Sequence, residues 1–242
     1  MSFTTIRGAG GVDVQFTGTD NRDILFAINE GATSIDAAGG NDTIELVNTT
    51  GVVGAVTAKG GAGNDTIEAL TTAGGGVHAR LDSASITAGP GRDTITSLGS
   101  VSSVLKGNEG ADNFSLSGNY TNSTIAGNQG EDSFTLAAAI TLEDTKIVGG
   151  NDNDGVMDFT AFAITDAIDS TINGSKGVDQ IQIGTVTAST NFSVFGGQGD
   201  DRITSTNAAS DGITYAGDLG NDVLDIGGNA NATVNGGDGN DI

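Results

Sequence analysis

Two nine-residue stretches decide the fold of this chain: Gly60-Gly61-Ala62-Gly63-Asn64-Asp65-Thr66-Ile67-Glu68 and Gly196-Gly197-Gln198-Gly199-Asp200-Asp201-Arg202-Ile203-Thr204. Both read Gly-Gly-x-Gly-x-Asp-x-apolar-x. Aligning the 242 residues on the aspartate of a Gly-x-x-Gly-x-Asp turn adds matches that end at Asp112, Asp132, Asp179, Asp222 and Asp241, and weaker ones that end at Asp23, Asp42, Asp93 and Asp154. From Asp23 onward the intervals run from 19 to 28 residues. Because Gly-rich sequence would not keep this phase by chance, the chain is a repeat protein.

Every repeat has the same anatomy. After the aspartate comes a stretch of alternating apolar and polar residues, such as Asn113-Phe114-Ser115-Leu116, which is typical of a half-buried strand. A second short strand precedes the turn, as in Ser123 to Gly127, and connections of varying length, such as Thr71 to Val77 and Ala137 to Asp144, join the two. Two strands and two turns in about 22 residues predict one coil of a right-handed parallel β-solenoid, a β-roll or β-helix of ten to eleven coils.

The repeat phase also suggests the domain organisation. No Pro-rich linker or change in composition interrupts it, so we expect residues 1–242 to form a single β-solenoid domain. Residues 1–22 are expected to form an irregular first half-coil, because Asp13 precedes Asp23 by only ten residues. The sequence ends inside a repeat, one residue after Asp241.

Composition excludes several classes of function. Asp and Glu outnumber Lys and Arg by 31 to 9, giving a net charge of −22, which is unsuited to binding a phosphate backbone. No apolar run is long enough to insert into a membrane, and Met1 to Asp13 lacks the apolar segment of a cleavable signal peptide. Without cysteine, with His78 as the single histidine and without a Gly-x-Ser-x-Gly motif, the chain is not expected to be an enzyme.

The aligned aspartates are the candidate functional residues. Stacked coils would place them in one row about 5 Å apart, where neighbouring carboxylates repel by roughly 1 kcal/mol even in water. A hard divalent cation would remove that cost, and Ca²⁺ accepts carboxylate and carbonyl oxygens in flexible geometry. Further oxygens lie in or beside the turns, at Asn41, Asn64, Asn221, Asn240, Asp152, Asp200, Asp218 and Asp238. The alternative is that the aspartates only cap turns through hydrogen bonds to backbone.

The two complete nine-residue motifs resemble the repeats-in-toxin, or hemolysin-type calcium-binding, family. This resemblance implies a parallel β-roll with Ca²⁺ bound between consecutive turns, and an extracellular or cell-surface location reached by type I secretion. The family usually repeats the motif every nine residues, whereas here it occurs once per coil, so one row of calcium on one edge is implied. The implied metal ligands are Asp42, Asp65, Asp112, Asp132, Asp179, Asp201, Asp222 and Asp241, with Asp23, Asp93 and Asp154 in imperfect turns.

Three classes of function remain open. The first is an extracellular structural rod, a subunit of a surface layer, fibre or matrix that self-associates head-to-tail and contacts cell-surface polysaccharide. The second is a calcium-binding repeat module of a larger secreted adhesin, toxin or hydrolase. The third is a polysaccharide lyase or epimerase, for which nine basic residues are few, since such enzymes must hold uronate carboxylates.

Overall fold

The computed structural model describes residues 2–7, 14–28, 33–48, 52–70, 79–206, 212–227 and 231–242. The protein is an all-β parallel β-solenoid of about nine turns, which confirms the fold class predicted from the repeat. The turn count is lower than the ten to eleven expected. Each of the two long sheets has eleven strands along its main path, and the first and last strands of each path pair with one neighbour only.

Two long sheets form the main faces, and every strand pair in them is parallel. From β3 onward, the strands of the first sheet begin at or just after the aspartates of the repeat. In spatial order this sheet contains β1 (Ser2–Arg7), β3 (Asp23–Ile28), β5 (Thr43–Val47), β8 (Thr66–Leu70), β11 (Thr94–Ser97), β14 (Asn113–Thr121), β16 (Ser133–Glu143), β18 (Val156–Phe159), β21 (Gln180–Ile183), β24 (Arg202–Ser205) and β26 (Val223–Ile226). The second sheet precedes the aspartates and contains β2 (Val14–Thr17), β4 (Thr33–Asp36), β7 (Val56–Lys59), β10 (Ser85–Pro90), β13 (Val104–Glu109), β15 (Thr124–Gln129), β17 (Lys146–Asn151), β20 (Thr171–Lys176), β23 (Ser193–Gln198), β25 (Thr214–Leu219) and β27 (Thr233–Asp238).

Part of the variable connection is also strand. Short segments beside the first sheet are β6 (Val52–Val53), β9 (Arg80–Asp82), β12 (Ser100–Val101), β19 (Ile164–Ile168) and β22 (Ser189–Thr190). Of these, β12 pairs with the far end of β14 and β19 with the far end of β16, and β9, β6 and β22 continue the two stacks. Most of the connection expected between Ala137 and Asp144 therefore lies within β16, an eleven-residue strand. The connection from Thr71 to Val77, together with Asp13 and His78, lies outside the described residues.

The core is a thin stack of apolar side chains. Two residues past most of the aspartates, an apolar residue faces inward and contacts its equivalent one coil away, as in the register Ile95, Phe114 and Phe134. After Asp154 the pattern is shifted by one residue, so that Met157 is the buried partner of Phe134 and Val156 is 38% exposed. The rings of Phe114 and Phe134 stack with centroids 4.7 Å apart. Since each coil buries only a few side chains, neighbouring coils complete its core.

The turn opposite the aspartates is held by hydroxyl groups. Ser123 accepts the backbone N–H of Ser103 at 3.3 Å through Oγ and donates to the carbonyl of Thr121 at 2.9 Å. Thr145 similarly donates its hydroxyl to the carbonyl of Glu143, and its N–H is bonded to Ser170. These buried hydroxyls replace the ladder bonds that the bend in the chain interrupts.

Candidate functional site: the stacked aspartate row

The eleven aspartates found by the repeat alignment lie in one row. Each backbone N–H from Asp23 to Asp222 donates to the Oδ1 atom of the next aspartate along the chain, at 2.6 to 3.1 Å. Asp93 and Asp154, whose turns match the motif less well, make the same bonds as the others. Asp23 donates its N–H to Asp42, but its Oδ2 accepts the N–H and the hydroxyl of Thr19 in its own turn. From Asp42 onward the row is therefore a hydrogen-bonded ladder between coils, and a local cap is seen at Asp23.

The carboxylates of the row point into the molecule. Ten of the eleven, from Asp23 to Asp222, are no more than 3% exposed, and Asp241 in the last coil is half-buried. The sequence predicted a row along one edge, but it did not predict this burial. Burial follows from the bond to the neighbouring coil, because Oδ1 must point along the stack to reach the N–H of the preceding aspartate.

One oxygen of most of these carboxylates has no partner. The buried atoms without a hydrogen-bond partner include the Oδ2 atom of Asp42, Asp65, Asp93, Asp112, Asp132, Asp154, Asp179, Asp201 and Asp222. A buried carboxylate oxygen left in this way is costly, and such an atom in a native fold calls for an ion, water or proton to satisfy it.

The first glycine of the turn makes room for this oxygen. At Gly127 a Cβ atom would lie 2.0 Å from Asp132 Oδ2 and 2.6 Å from the carbonyl oxygen of Gly149 in the next coil. Gly107 and Gly149 stand in the same relation to Asp112 and Asp154. The glycine at the fourth position of the turn, such as Gly130, is required because its φ is positive. The glycine at the first position is required because a side chain there would contact the aspartate, and not because of its backbone angle.

Burial shifts the proton affinity of the row. Desolvation raises the pKa of Asp65 and Asp179 to about 6 and that of Asp112 and Asp132 to about 7, against the lowering effect of the backbone hydrogen bond. The pKa of Asp154 is raised to about 8, first by burial and then by nearby carboxylates, including Asp179. These five carboxylates therefore hold their charge weakly near neutral pH when no cation is bound.

Among the residues that the structure describes, no basic side chain forms an ion pair with the row. Within the described ranges the ion pairs are Arg80 with Asp82 and Arg202 with Asp225, neither of which belongs to the row. The described residues contain no group of three or more acidic, histidine or cysteine side chains arranged around one metal-sized point, because each coil contributes one aspartate to the row.

The residues of the row fit a cation that is coordinated mainly by oxygen. The unpartnered Oδ2 atoms are buried carboxylate oxygens that could ligate a cation, and the adjoining first glycines leave the turn interior lined by carboxylate and carbonyl oxygens. Ca²⁺ accepts such mixed oxygen sets, with carbonyls and waters completing the coordination.

Five of the other oxygens proposed from the sequence, those of Asn41, Asn64, Asp200, Asn221 and Asn240, occupy a second, outer row, whereas Asp152, Asp218 and Asp238 lie at other positions of their turns. Asn64 donates its N–H to Asn41 Oδ1 at 2.9 Å, and Asn240 donates to Asn221 Oδ1 at 3.0 Å. Asp200 Oδ1 accepts the N–H of Asn221 at 2.8 Å. These side chains are exposed and form hydrogen bonds between neighbouring coils, so the structure does not bring them together with the buried Oδ2 atoms.

Comparisons with protein-family models, with curated proteins and with solved structures give no match for this chain. The parallel solenoid is consistent with a repeat β-roll, and the fold and its aspartate row fit a repeat structural module. Among the described residues there is no helix long and apolar enough to cross a membrane.

Proposed function

We propose that this chain is an extracellular structural repeat module whose aspartate row is completed by bound calcium. The observation that carries the proposal is the row of buried Oδ2 atoms without a partner, one per coil from Asp42 to Asp222. Bound calcium would supply positive charge to carboxylates that no lysine or arginine pairs with. Under this proposal Oδ1 holds the coils in register and Oδ2 is the metal ligand.

The division of roles between the two oxygens gives a direct experiment at Asp132. Asp132→Asn keeps an Oδ1 that can accept the N–H of Asp112, whereas it removes the charge and the anionic Oδ2. Asp132→Ala removes both. We expect both variants to lose about one or two calcium ions per chain in isothermal titration calorimetry, since each carboxylate serves the coils on either side.

Stability without calcium separates the two variants. In excess chelator we expect Asp132→Asn to melt at or above the wild-type temperature, because it removes a buried charge, and Asp132→Ala to melt lower, because it removes the acceptor. An unchanged calcium stoichiometry in both variants would overturn the assignment of the row as ligands. The exposed Asp144→Asn, on the opposite turn, is the matched control.

The runner-up is a repeat module within a larger secreted protein. The same row favours it equally, because a calcium-stabilised solenoid serves as a spacer in either setting. Catalysis is not proposed, since the buried carboxylates of the row are directed at backbone of the same solenoid and not at an open cleft.

A further inference from the structure

A shallow groove runs along the outside of the second sheet, where its strands approach the aspartate turns. Its first section has a volume of about 550 Å³ and is lined by Asn108, Asn128, Gln129, Asn151, Ser175 and Lys176, among others. A second section of about 380 Å³ shares Ser175 and Lys176 and continues to Gln198 and Asp218. The groove therefore follows the stack across several coils, on the surface and apart from the buried carboxylates.

Strand register arranges the lining residues in two parallel rows. Asn108, Asn128, Gly150, Ser175, Gly197 and Asp218 are successive register partners, and all are half-buried, forming the floor. One residue further on, Glu109, Gln129, Asn151, Lys176, Gln198 and Leu219 are exposed and form the rim. Each coil thus presents one floor residue and one rim residue at a regular spacing of about 4.8 Å.

The floor contains side chains where the backbone favours glycine. Asn108 and Asn128 have φ values of +89° and +86°, and the equivalent positions in two later coils are Gly150 and Gly197. Asparagine tolerates this conformation better than most residues, but glycine adopts it without strain. The amides at these two positions are therefore not required by the turn itself.

The groove offers unused hydrogen-bonding groups. Asn128 Nδ2 donates to Asn108 Oδ1 at 3.4 Å, whereas the side chains of Gln129, Asn151 and Gln198 make no hydrogen bond within the described part of the chain. Amide groups both donate and accept, which matches the hydroxyl groups of a ligand that also do both.

The same lining disfavours other polymers. The groove carries one basic and two acidic side chains, Lys176, Glu109 and Asp218, and no aromatic side chain on which a base could stack. The strands beneath it are paired on both sides, so no free strand edge is available to an extended peptide. A polyanion is disfavoured by the net charge of −22.

From these observations we infer that the groove binds a neutral polyhydroxylated chain, a glycan without carboxylate or sulfate groups, laid along the stack of coils. Amides on the floor or rim of three successive coils, from Asn108 to Asn151, contact successive sugar units through paired donor and acceptor bonds. Because the contacts repeat from coil to coil, the apparent affinity rises with the length of the glycan.

The test uses the full chain in calcium-containing buffer and a panel of neutral glycans: maltoheptaose, cellohexaose, laminarihexaose and dextran. Binding is followed by NMR chemical-shift changes and by calorimetry. The groove variant combines Asn108→Gly, Asn128→Gly, Gln129→Ala and Asn151→Ala. It should fold, because glycine already occupies the two floor positions in neighbouring coils. Gln180→Ala with Gln182→Ala, on the first sheet, is the control.

We expect at least one glycan of the panel to bind, with shifts confined to the second sheet and at least a tenfold loss of affinity in the groove variant only. Absence of binding across the panel overturns the inference, as does equal loss in the control. Preferential binding of polygalacturonate over every neutral glycan also overturns it. Calcium stoichiometry, measured on the same variants, tests the proposed function separately.

Discussion

At the scale of single residues, each position of the turn has a separate physical role. The aspartate connects two coils through Oδ1, the first glycine leaves space for Oδ2, and the fourth glycine takes up a positive φ. The sequence predicted that the aspartates align and that glycine belongs in the turn. It could not predict which carboxylate oxygen meets which atom, because that depends on the direction in which neighbouring coils are offset.

The contact at the first glycine gives a prediction. Gly127→Ala places a methyl group 2.0 Å from Asp132 Oδ2, so the coil must shift. We expect a loss of about 1–3 kcal/mol in unfolding free energy, measured by chemical denaturation, as for other overpacked sites. Gly54→Ala is the control, because its new methyl group meets nothing within 4 Å. Equal stability of the two variants would contradict the role assigned to the first glycine.

At the scale of strands, the alternation after the aspartates predicts the first sheet and its inward face, except after Asp154, where Met157 and Phe159 face inward one residue later than predicted. Phe114 and Phe134 are buried and in register, as position two of the pattern requires. The additional short strands were missed, since Val52–Val53 and Ser100–Val101 are too short to show alternation. Their pairing depends on the neighbouring coil, which no local pattern reports. Ser123 and Thr145 directly precede β15 and β17 and hold the opposite turn, a role that the sequence pattern does not predict.

Nearest-neighbour packing makes damage to one strand local. Phe134→Ala removes a buried ring stacked on Phe114, and we expect it to cost about 3–5 kcal/mol. Hydrogen exchange should accelerate in β14, β16 and β18 and stay at the wild-type level in β24 and β26, which lie several coils away. Uniform acceleration along the whole solenoid would show instead that the rod unfolds as one unit. Thr135→Ala, on the outer face of the same strand, is the control.

At the scale of the whole molecule, the raised pKa values of the row make stability depend on pH. Without a cation the folded state binds protons more tightly than the unfolded chain, so unfolding releases protons and stability falls as pH rises from about 4 to about 8. We expect the melting temperature in chelator to be higher at pH 5 than at pH 8, and calcium to raise it more at pH 8. A melting temperature in chelator that rises with pH would refute this.

The terminal strands give a second prediction at this scale. β27 pairs with β25 on one side only, and Val234 on it is 50% exposed, whereas the outer edge of β26 carries backbone hydrogen bonds to Ile242. A strand edge without a partner that carries an apolar side chain is a template for a further strand. We expect concentration-dependent association of the chain in sedimentation velocity, weakened by Val234→Lys and unaffected by Val178→Lys on the side of the rod. A strictly monomeric chain at high concentration would contradict head-to-tail assembly.

The ten bonds of the aspartate row all run in one direction, from an N–H in one coil to an Oδ1 in the next. A finished coil therefore offers a donor to the coil that follows it, and that donor is satisfied only when the following turn closes. A polypeptide that emerges amino-terminus first meets this requirement in sequence. The direction of the hydrogen bonds in the ladder therefore matches the order of synthesis. Coils can fold one after another from the amino terminus, each coil being the template for its successor.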